Sequence, residues 1–318
     1  MGRIILLLGR KDDPHISGIV QELDCSSRDF VLLEELSVND HLIVKFDDGL
    51  VEGSIHKGSK EYPLKEIKSV WNSSPLRIHV SGVTKEALDF VRSEWNEGIL
   101  SLWNALQTRW INHPYAIYNS SNRLKQLQMA HRFGFLTPKT VVTNNPDTFV
   151  SFFGESEGNV IAKTLSSSIG LPKNKMILST KMTRKDVDFA KALIYAPCMF
   201  QEYISKKTEL RVTVIGKILH TAEIHSQRSE RTMHDWRNYD DFQKTPYQET
   251  ALPDEISDKL LRLMEAMKLE FGTIDLIRTP NDDIYFLEIN PNGRWWWIQG
   301  LTGMSIAKDI ATYLSKDF

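Results

Sequence analysis

The chain has 318 residues, of which 41% are hydrophobic and 25% charged, and its formal net charge is −2 at pH 7. This length accommodates two or three packed domains of ordinary globular composition. The small net charge argues against a nucleic-acid or anionic-membrane partner, and no stretch approaches the roughly 20 apolar residues that cross a bilayer. Cys25 and Cys198 fit no metal-ligand spacing, so we expect free thiols and a cytoplasmic location.

The N-terminal third has the pattern of an α/β unit. Ile4–Leu8 is typical of a buried strand, Ile16–Leu23 of a short helix, and Leu42–Phe46 and Leu50–Ile55 of two strands joined by a turn. Apolar residues at steps of three and four then predict one long helix with a buried stripe. The stripe consists of Leu88, Val91, Trp95, Ile99, Leu102, Leu106 and Trp110.

The remaining two thirds alternate strands with helices. Asn112-His113-Pro114 breaks the long helix, and Asn122 is expected to cap a helix that ends near Phe133. A second apolar helix is centred on Met264. Strands are predicted over Val160–Leu165, Met199–Ile204, Glu209–Ile215, Ile218–Ile224, Thr273–Arg278 and Ile284–Ile289, and a closing helix over Ser305–Leu314.

Three oxygen-bearing side chains stand out in the last two strands. Alternation along a strand places Glu288 and Asn290 on one face, with Leu287 and Ile289 on the other. Asp275 is a lone polar residue in an apolar run of the preceding strand, where an unsatisfied polar group is costly. Two carboxylates and an amide oxygen suit Mg²⁺, which prefers oxygen ligands. The alternatives are a solvent-facing edge or a simple turn after Asn290.

This arrangement resembles the metal signature of the ATP-grasp superfamily, and other parts of the superfamily pattern occur in the expected order. Val160–Lys163 resembles the strand whose lysine contacts nucleotide phosphates, and Ser166–Gly170 the loop that closes over them. Met199–Ile204 resembles the segment against which adenine packs. Asn122–Lys125 matches the place of a second phosphate-contacting cation, where Arg123 is in better register than Lys125. Each match alone could be an ordinary surface segment, but their order favours the superfamily.

The resemblance implies an α+β ATP-grasp fold that uses ATP and Mg²⁺. It divides the chain into an N-terminal α/β domain over 1–112, a central subdomain over 113–200 and a C-terminal subdomain over 201–318 that holds the metal. The nucleotide would lie between the last two. Its implied ligands are Arg123, Lys125, Lys163, Ser167, Gln201, Glu202, Tyr203, Ile204 and Glu209, and those of the metal are Asp275, Glu288 and Asn290.

Further segments carry a second, narrower resemblance. They are Glu209–Thr213, Glu223–Gln227, Asp235–Arg237, Phe286–Gly293, and Gly300–Gly303 with Trp295–Trp297 before it. Together they resemble the microviridin-type (MvdD-like) peptide macrocyclases, also called graspetide enzymes. The chain departs from that family pattern at Asn72–Pro75, where a tyrosine and arginines are expected, and at Arg294, where a glutamine is expected.

The macrocyclase resemblance implies an ADP-forming ligase that phosphorylates Asp or Glu side chains of a ribosomally made precursor peptide. Thr or Ser hydroxyls, or Lys amines, would then close ω-ester or ω-amide rings. An arginine fork suits an acyl-phosphate oxyanion, so Arg211 is the expected transition-state stabiliser. His225 is a candidate general base, and the basic segment His225–Arg237 is as well suited to attract an acidic core peptide as to be a solvated loop.

Two other functions fit the same nucleotide site. A RimK-type ligase would add free amino acids to a protein or peptide, without a leader peptide. A binding module that has lost turnover would bind nucleotide only. The expected partner is a precursor peptide with a leader and an acidic core, and a homodimer is a further expectation. The precursor, its ring pattern and the leader-binding surface do not follow from the sequence.

Overall fold

The structure is a computed structural model that describes residues 3–165, 178–238 and 245–317. Helices and strands occur in all three stretches, so the predicted α+β class is confirmed. The helices are α1 Pro14–Cys25, α2 Lys85–Ala105, α3 Pro114–Ser120, α4 Arg123–Arg132, α5 Pro146–Glu155, α6 Arg184–Asp188, α7 Asp254–Ala266, α8 Trp296–Thr302 and α9 Ile306–Ser315. Short 3₁₀ turns cover Leu64–Glu66, Ala190–Tyr195 and Ser226–Arg228.

The strands carry most of the residues discussed below. In the N-terminal third they are β1 Ile4–Leu8, β2 Phe30–Leu33, β3 Glu35–Ser37, β4 His41–Asp47, β5 Leu50–Lys57, β6 Lys60–Pro63, β7 Ile67–Asn72, β8 Arg77–His79 and β9 Arg109–Ile111. Further along they are β10 Thr140–Thr143, β11 Val160–Lys163, β12 Thr180–Lys181, β13 Cys198–Glu202, β14 Thr208–Ile215, β15 Ile218–Ile224, β16 Tyr247–Thr250, β17 Phe271–Arg278 and β18 Ile284–Asn290.

The N-terminal sheet has the strand order β2-β1-β7-β9, and its neighbouring strands are parallel. Ile5 and Leu7 on one face pack in the same cluster as α1 and the closing helix α9. Leu6 and Leu8 on the other face pack with the end of α2. Because parallel strands are covered on both faces, β1 has the continuous apolar run that the sequence shows. Two separate small sheets have the strand orders β3-β8 and β4-β5-β6.

Two antiparallel sheets follow, with the orders β10-β13-β11-β12 and β16-β15-β14-β17-β18. Strand β14 is buried at all of its positions. Leu210, Val212 and Val214 pack on α7, while Glu209 and Arg211 project from the opposite face. The predicted hairpin between β14 and β15 is confirmed. The division of the chain after residues 112 and 200 stays a prediction.

The predicted long helix is correct only in part, since α2 ends at Ala105 and Trp110 lies in β9. Trp110 pairs with Val70 of β7, and the hydroxyl of Thr108 donates a hydrogen bond to the carbonyl of Lys68. Trp110 and Leu102 still share one apolar cluster. The three- and four-residue spacing of apolar side chains continues past the end of α2, because α2 and β9 bury their side chains in the same core. The spacing therefore predicted a helix that is too long. None of the described helices is long and apolar enough to span a membrane.

Candidate functional site

A cavity opens between the two antiparallel sheets, with walls from β11, β13, β14, β17 and β18. It brings together most of the side chains that the sequence singled out. The predicted residues lining it are Arg123, Lys163, Gln201, Glu202, Tyr203, Ile204, Glu209, Asp275 and Glu288. The other lining residues are Ile161, Thr164, Ser179, Lys206, His234, Asp235, Trp236, Arg237, Ile277 and Leu287.

The two predicted metal-binding carboxylates face each other across adjacent strands. Asp275 of β17 is in register with Glu288 of β18. The amide nitrogen of Asn290 donates to Glu288 Oε1 at 3.2 Å and lies 3.5 Å from Asp275 Oδ2. The three side chains therefore form one polar group at the end of the sheet, although Asn290 itself does not line the cavity.

The predicted orientation of Leu287 is wrong, because a β-bulge interrupts the alternation. Asp275 pairs with Glu288, but the next residue, Leu276, pairs with Phe286, which leaves Leu287 unpaired. Such an extra residue changes the direction in which its neighbours point. Leu287 therefore lines the cavity beside Glu288, and Phe286 takes the place in the core that Leu287 was expected to fill.

Arg211 of β14 lies in register with Asp275 and holds its carboxylate. Its Nη1 donates to both Asp275 oxygens at 2.8 Å, and its Nη2 donates to the carbonyl oxygen of Arg294 at 3.2 Å. Burial raises the pKa of Asp275, and the Arg211 guanidinium only partly opposes that shift. The guanidinium is thus already engaged by protein groups, and Arg211 does not line the cavity.

Two cations approach Glu288 from the other side. Arg123 Nε donates to Glu288 Oε2 at 2.8 Å, and its Nη1 donates to the carbonyl of Thr164. Burial opposes ionisation of Glu288, but the attraction of Arg123 and then Lys163 outweighs it, so the pKa of Glu288 is lowered. Burial also lowers the pKa of Lys163. Carboxylates and cations therefore line the same cavity, and this combination suits a metal ion and a phosphate group that bind together.

The far end of the cavity is less charged. Gln201 Nε2 donates to the hydroxyl of Thr140 at 2.9 Å, and the Tyr203 hydroxyl lies 3.1 Å from Nδ1 of His234. Lys206 and Glu209 form a buried ion pair with 2.8 Å between Nζ and Oε1. The sequence reasoning placed neither Lys206 nor His234 at the nucleotide site, since Lys206 lies in no recognised segment and His234 lies in the basic segment His225–Arg237, which was assigned to the peptide. An aromatic ring beside buried polar groups suits a nucleobase.

Arg237 is a further cation of the cavity, and Asp235 fixes its position. Asp235 accepts hydrogen bonds from Arg237 Nε at 2.8 Å and Nη2 at 2.5 Å, and from the backbone N–H of Ser179 at 2.9 Å. Burial works against the charge of Asp235, but these bonds lower its pKa to about 2. Asp235–Arg237 was among the macrocyclase-like segments, so that resemblance was the available signal for this pair.

Some predicted residues lie elsewhere. Lys125 is exposed and lines a different cavity with His113 and Tyr115. His225 precedes the 3₁₀ turn Ser226–Arg228 and does not line the cavity described above. Ser167 lies outside the described residues. The roles assigned to them stay predictions.

A family model for the RimK-like ATP-grasp domain matches residues 120–314. The chain belongs to the ATP-grasp family. The ATP-grasp fold predicted from the sequence is thereby confirmed, and the chain is an ADP-forming carboxylate ligase that uses ATP and Mg²⁺. Curated relatives include a probable alpha-L-glutamate ligase of Chromohalobacter salexigens, which is 23% identical over 283 residues, covering 84% of this chain and 90% of the relative.

Solved structures place this ATP-grasp ligase among peptide-modifying relatives, as the macrocyclase resemblance predicted. A Chryseobacterium gregarium RiPP-associated ATP-grasp ligase, solved with ADP and a leader and core peptide, has a TM-score of 0.87 and 26% identity over 99% of this chain and 96% of its own. Macrocyclase MdnC from Microcystis aeruginosa MRC, bound with precursor peptide MdnA, has a TM-score of 0.82 and 26% identity over 98% and 99%.

The donor set of this ligase fits Mg²⁺ as part of a shared coordination shell. Within residues 3–165, 178–238 and 245–317, no group of three or more His, Cys, Asp and Glu side chains could hold a metal alone. Asp275 and Glu288 supply two carboxylates and Asn290 an amide oxygen. Mg²⁺ usually takes only one or two carboxylates and completes its shell with substrate phosphates and water. The residues present therefore fit a metal that binds together with nucleotide.

Gln126 of α4, which the sequence reasoning missed, holds the outer edge of β18. Its Oε1 accepts the N–H of Ile289 at 2.9 Å, and its Nε2 donates to the carbonyls of Ile289 at 2.7 Å and Ser120 at 2.6 Å. Gln126 is buried and Ile289 lies between Glu288 and Asn290. Because β18 is the edge strand of its sheet, this side chain replaces a neighbouring strand.

Changing Gln126 to Leu is expected to lower ligase activity about 10-fold and to raise the Mg²⁺ concentration needed for half-maximal rate. Loss of a ligand-orienting partner typically costs a metal site about 10- to 100-fold in affinity or activity. A Mg²⁺ titration of ADP formation measures both effects. Gln128→Leu, an exposed position of the same helix, is the matched control and should leave both unchanged. Equal behaviour of the two variants would contradict the prediction.

Proposed function

We propose that this ligase phosphorylates Asp or Glu side chains of a ribosomally made precursor peptide and closes them onto Thr or Ser hydroxyls or Lys amines. The products would be ω-ester or ω-amide macrocycles. The observation that carries the proposal is the likeness over 98–99% of the chain to two ligases solved with peptide, at TM-scores of 0.87 and 0.82. That likeness includes the N-terminal domain, which lies outside the matched ATP-grasp model.

The cavity contains the groups that acyl-phosphate chemistry needs. A carboxylate oxygen of the peptide would attack the γ-phosphate of ATP, giving an acyl phosphate and ADP. Catalysis of such a transfer is mostly positioning and charge neutralisation. Asp275, Glu288 and Asn290 would hold Mg²⁺, which offsets phosphate charge when bound. Lys163 and Arg123 would contact the phosphates directly.

Other residues would position these groups. Gln201, Glu202, Tyr203, Ile204 and Glu209 would form the base and ribose end of the nucleotide site. Arg211 was expected to stabilise the transition state itself. Its bonds to Asp275 and to the Arg294 carbonyl support a role in fixing the metal ligand Asp275. The expected role of Arg211 in stabilising the oxyanion stays a prediction.

The peptide partner would carry a leader and an acidic core. Arg228 and Arg231 are exposed beside the cavity segment that contains Arg237, which gives a basic approach to the site in a chain of net charge −2. Such local charge attracts an acidic peptide over a distance of roughly 8–10 Å at physiological salt. A homodimer and a cytoplasmic location stay predictions.

A second candidate function is the addition of amino acids to a protein or peptide. It is favoured by the curated relatives named probable alpha-L-glutamate ligases, which are 22–24% identical to this chain. A non-catalytic nucleotide-binding module is disfavoured, because the cavity has both carboxylates and the cations Arg123, Lys163 and Arg237 in place.

The test is mass spectrometry after incubation with ATP, Mg²⁺ and a candidate precursor, a short peptide rich in Thr and Asp or Glu. Macrocyclisation removes one water per ring and adds nothing else, so the expected product is lighter than the precursor. A parallel reaction also contains free glutamate, so that addition of an amino acid to the peptide can be detected. A product heavier by amino-acid units supports the RimK-type reaction instead, and nucleotide binding without ADP formation supports the binding module. The reaction without ATP is the control.

A further inference from the structure

The turn that follows β18 is held by a side chain of the N-terminal sheet, directly beside the predicted metal ligand Asn290. Asn112, the residue after β9, donates from Nδ2 to the carbonyl of Pro291 at 2.8 Å, although 179 residues separate the two in the chain. Pro291 is the residue next to Asn290. Asn112 is only 1% exposed, so this bond is shielded from water. A buried amide from the first sheet therefore reaches the exit of the metal site.

Asn112 uses the full hydrogen-bonding capacity of its side-chain amide at this junction. Its Oδ1 accepts the backbone N–H groups of Glu270 at 2.8 Å and Phe271 at 3.1 Å. Its Nδ2 donates to the carbonyl of Phe271 at 2.7 Å, besides that of Pro291. An amide has two N–H donors and an oxygen with two lone pairs, so these four bonds saturate it. A carboxylate of the same size could accept both N–H groups but could not donate to the two carbonyls.

The turn that leads out of Asn290 has little room to move. The N–H of Gly293 donates to the carbonyl of Asn290 at 3.0 Å, which closes the turn around Pro291. The turn lies directly against β17, since a Cβ on Gly293 would come within 1.5 Å of Thr273 Oγ1, and Thr273 pairs with Asn290. Asn112 also holds the first residue of β17. It therefore fixes the start of β17 and the exit of β18 relative to each other.

Asn112 is itself held by the neighbouring strand of the N-terminal sheet. Asn72, the last residue of β7, is 5% exposed and donates from Nδ2 to the carbonyl of Asn112 at 3.0 Å. Strands β7 and β9 pair in parallel as far as Trp71 and Ile111, so both amides lie at the same end of the sheet. Asn72 begins the segment Asn72–Pro75, where the sequence departs from the macrocyclase pattern. That departure places an amide donor directly behind Asn112.

We propose that Asn112 is a positioning residue for Asn290, so that the end of the N-terminal sheet supports the Mg²⁺ site. The inference rests on the part of the proposed function that places Mg²⁺ at Asp275, Glu288 and Asn290, and it is independent of the chemistry of the peptide. Gln126 holds the chain before Asn290, and Asn112 holds the chain after it. Metal ligands depend on the hydrogen-bonded groups that fix their direction.

The experiment measures metal binding directly with Mn²⁺, which substitutes for Mg²⁺ and is visible by electron paramagnetic resonance. Mn²⁺ is titrated into the full-length protein with saturating ADP, and the signal of free Mn²⁺ gives the dissociation constant. Asn112→Asp keeps the size and the acceptors of Asn112 but loses the donor to Pro291. The dissociation constant of Mn²⁺ should therefore rise about 10-fold in Asn112→Asp, as is typical for loss of a ligand-orienting partner.

Arg109→Met is the control for a merely structural role. Arg109 joins the other end of β9 to the C-terminal segment, through bonds from Nη1 to the carbonyls of Tyr313 at 3.1 Å and Lys316 at 3.0 Å, and from Nη2 to that of Asp317 at 3.1 Å. Loss of these bonds should lower the free energy of unfolding in urea but leave the Mn²⁺ constant within about twofold of wild type. An Mn²⁺ constant raised equally in Arg109→Met and Asn112→Asp would overturn the inference.

A second variant guards against a folding defect in Asn112→Asp. Asn72→Ala leaves the amide of Asn112 in place but removes its support, so the Mn²⁺ constant should rise about fivefold, as expected for the net loss of one hydrogen bond. If Asn112→Asp does not fold, Asn72→Ala alone decides. Mn²⁺ binding at the wild-type value in the folded variants would overturn the inference and leave the proposed function intact.

Glu288→Gln tests the placement of the metal in the same titration. It removes a predicted ligand and should weaken Mn²⁺ binding more than Asn112→Asp does. Mn²⁺ binding at the wild-type value in Glu288→Gln would show that the metal lies elsewhere. That result would overturn the metal-binding part of the proposed function and this inference with it.

Discussion

Replacing Glu288 by Gln should lower peptide-dependent ADP formation about 1,000-fold, which corresponds to about 4 kcal/mol of transition-state stabilisation. Gln keeps the shape of Glu but removes the charge that both Mg²⁺ and Arg123 would bind. Arg123 Nε donates to Glu288 at 2.8 Å, so the substitution also releases that cation from its position. The rate of ADP formation at saturating ATP measures the effect, and extra Mg²⁺ should restore only part of it.

The control for this prediction lies in the same hairpin. Asp283→Asn removes one carboxylate from the exposed turn between β17 and β18, outside the cavity, and should keep wild-type activity. Circular dichroism of both variants checks that the sheet is retained. Glu288→Gln enzyme with an unchanged rate and an unchanged Mg²⁺ requirement would show that the metal lies elsewhere.

Replacing Arg211 by Met should destabilise the protein by about 3–5 kcal/mol, because it leaves the Asp275 carboxylate buried without its partner. The side chains of Arg211 and Asp275 are 7% and 15% exposed, and two bonds of 2.8 Å join them. The free energy of unfolding in urea measures the loss. Arg92→Met, at an exposed position of α2, is the matched control and should change it by less than about 0.5 kcal/mol.

A double-mutant cycle measures the interaction energy between Arg211 and Asp275 directly. Asp275→Asn removes the charge that Arg211 neutralises, so Arg211→Met should cost less in that background than in wild type. The difference is expected to be about 2 kcal/mol, within the range for residues in contact. Additive costs would mean that the pair contributes no coupling and that Arg211 acts on some other group.

Local patterns in the sequence account for much of the fold. The apolar run Ile4–Leu8 predicted a strand buried on both faces, and β1 is covered by α1 and α9 on one side and by the α2 cluster on the other. Asn122 predicted the start of α4, where its side chain accepts the N–H of Lys125. These features depend on neighbours in sequence, so periodicity and capping chemistry were sufficient.

The same patterns failed where a distant contact decided the outcome. Strand pairing with β7 took Trp110 out of the predicted helix, and a bulge opposite Asp275 turned Leu287 into the cavity. Neither event changes the spacing of apolar residues, so periodicity could not distinguish them. Gln126 likewise looks like an ordinary helix residue until the edge of β18 is placed beside it.

The sequence by itself determined which oxygen-bearing side chains belong together. Asp275, Glu288 and Asn290 were identified from polar residues in apolar strands, since burial makes such residues costly without a partner. Only the tertiary structure decided what surrounds them, namely Arg211 on Asp275 and Arg123 on Glu288. Those contacts join residues far apart in the chain, and their geometry is set by strand register and by packing between sheets, which local propensity does not encode.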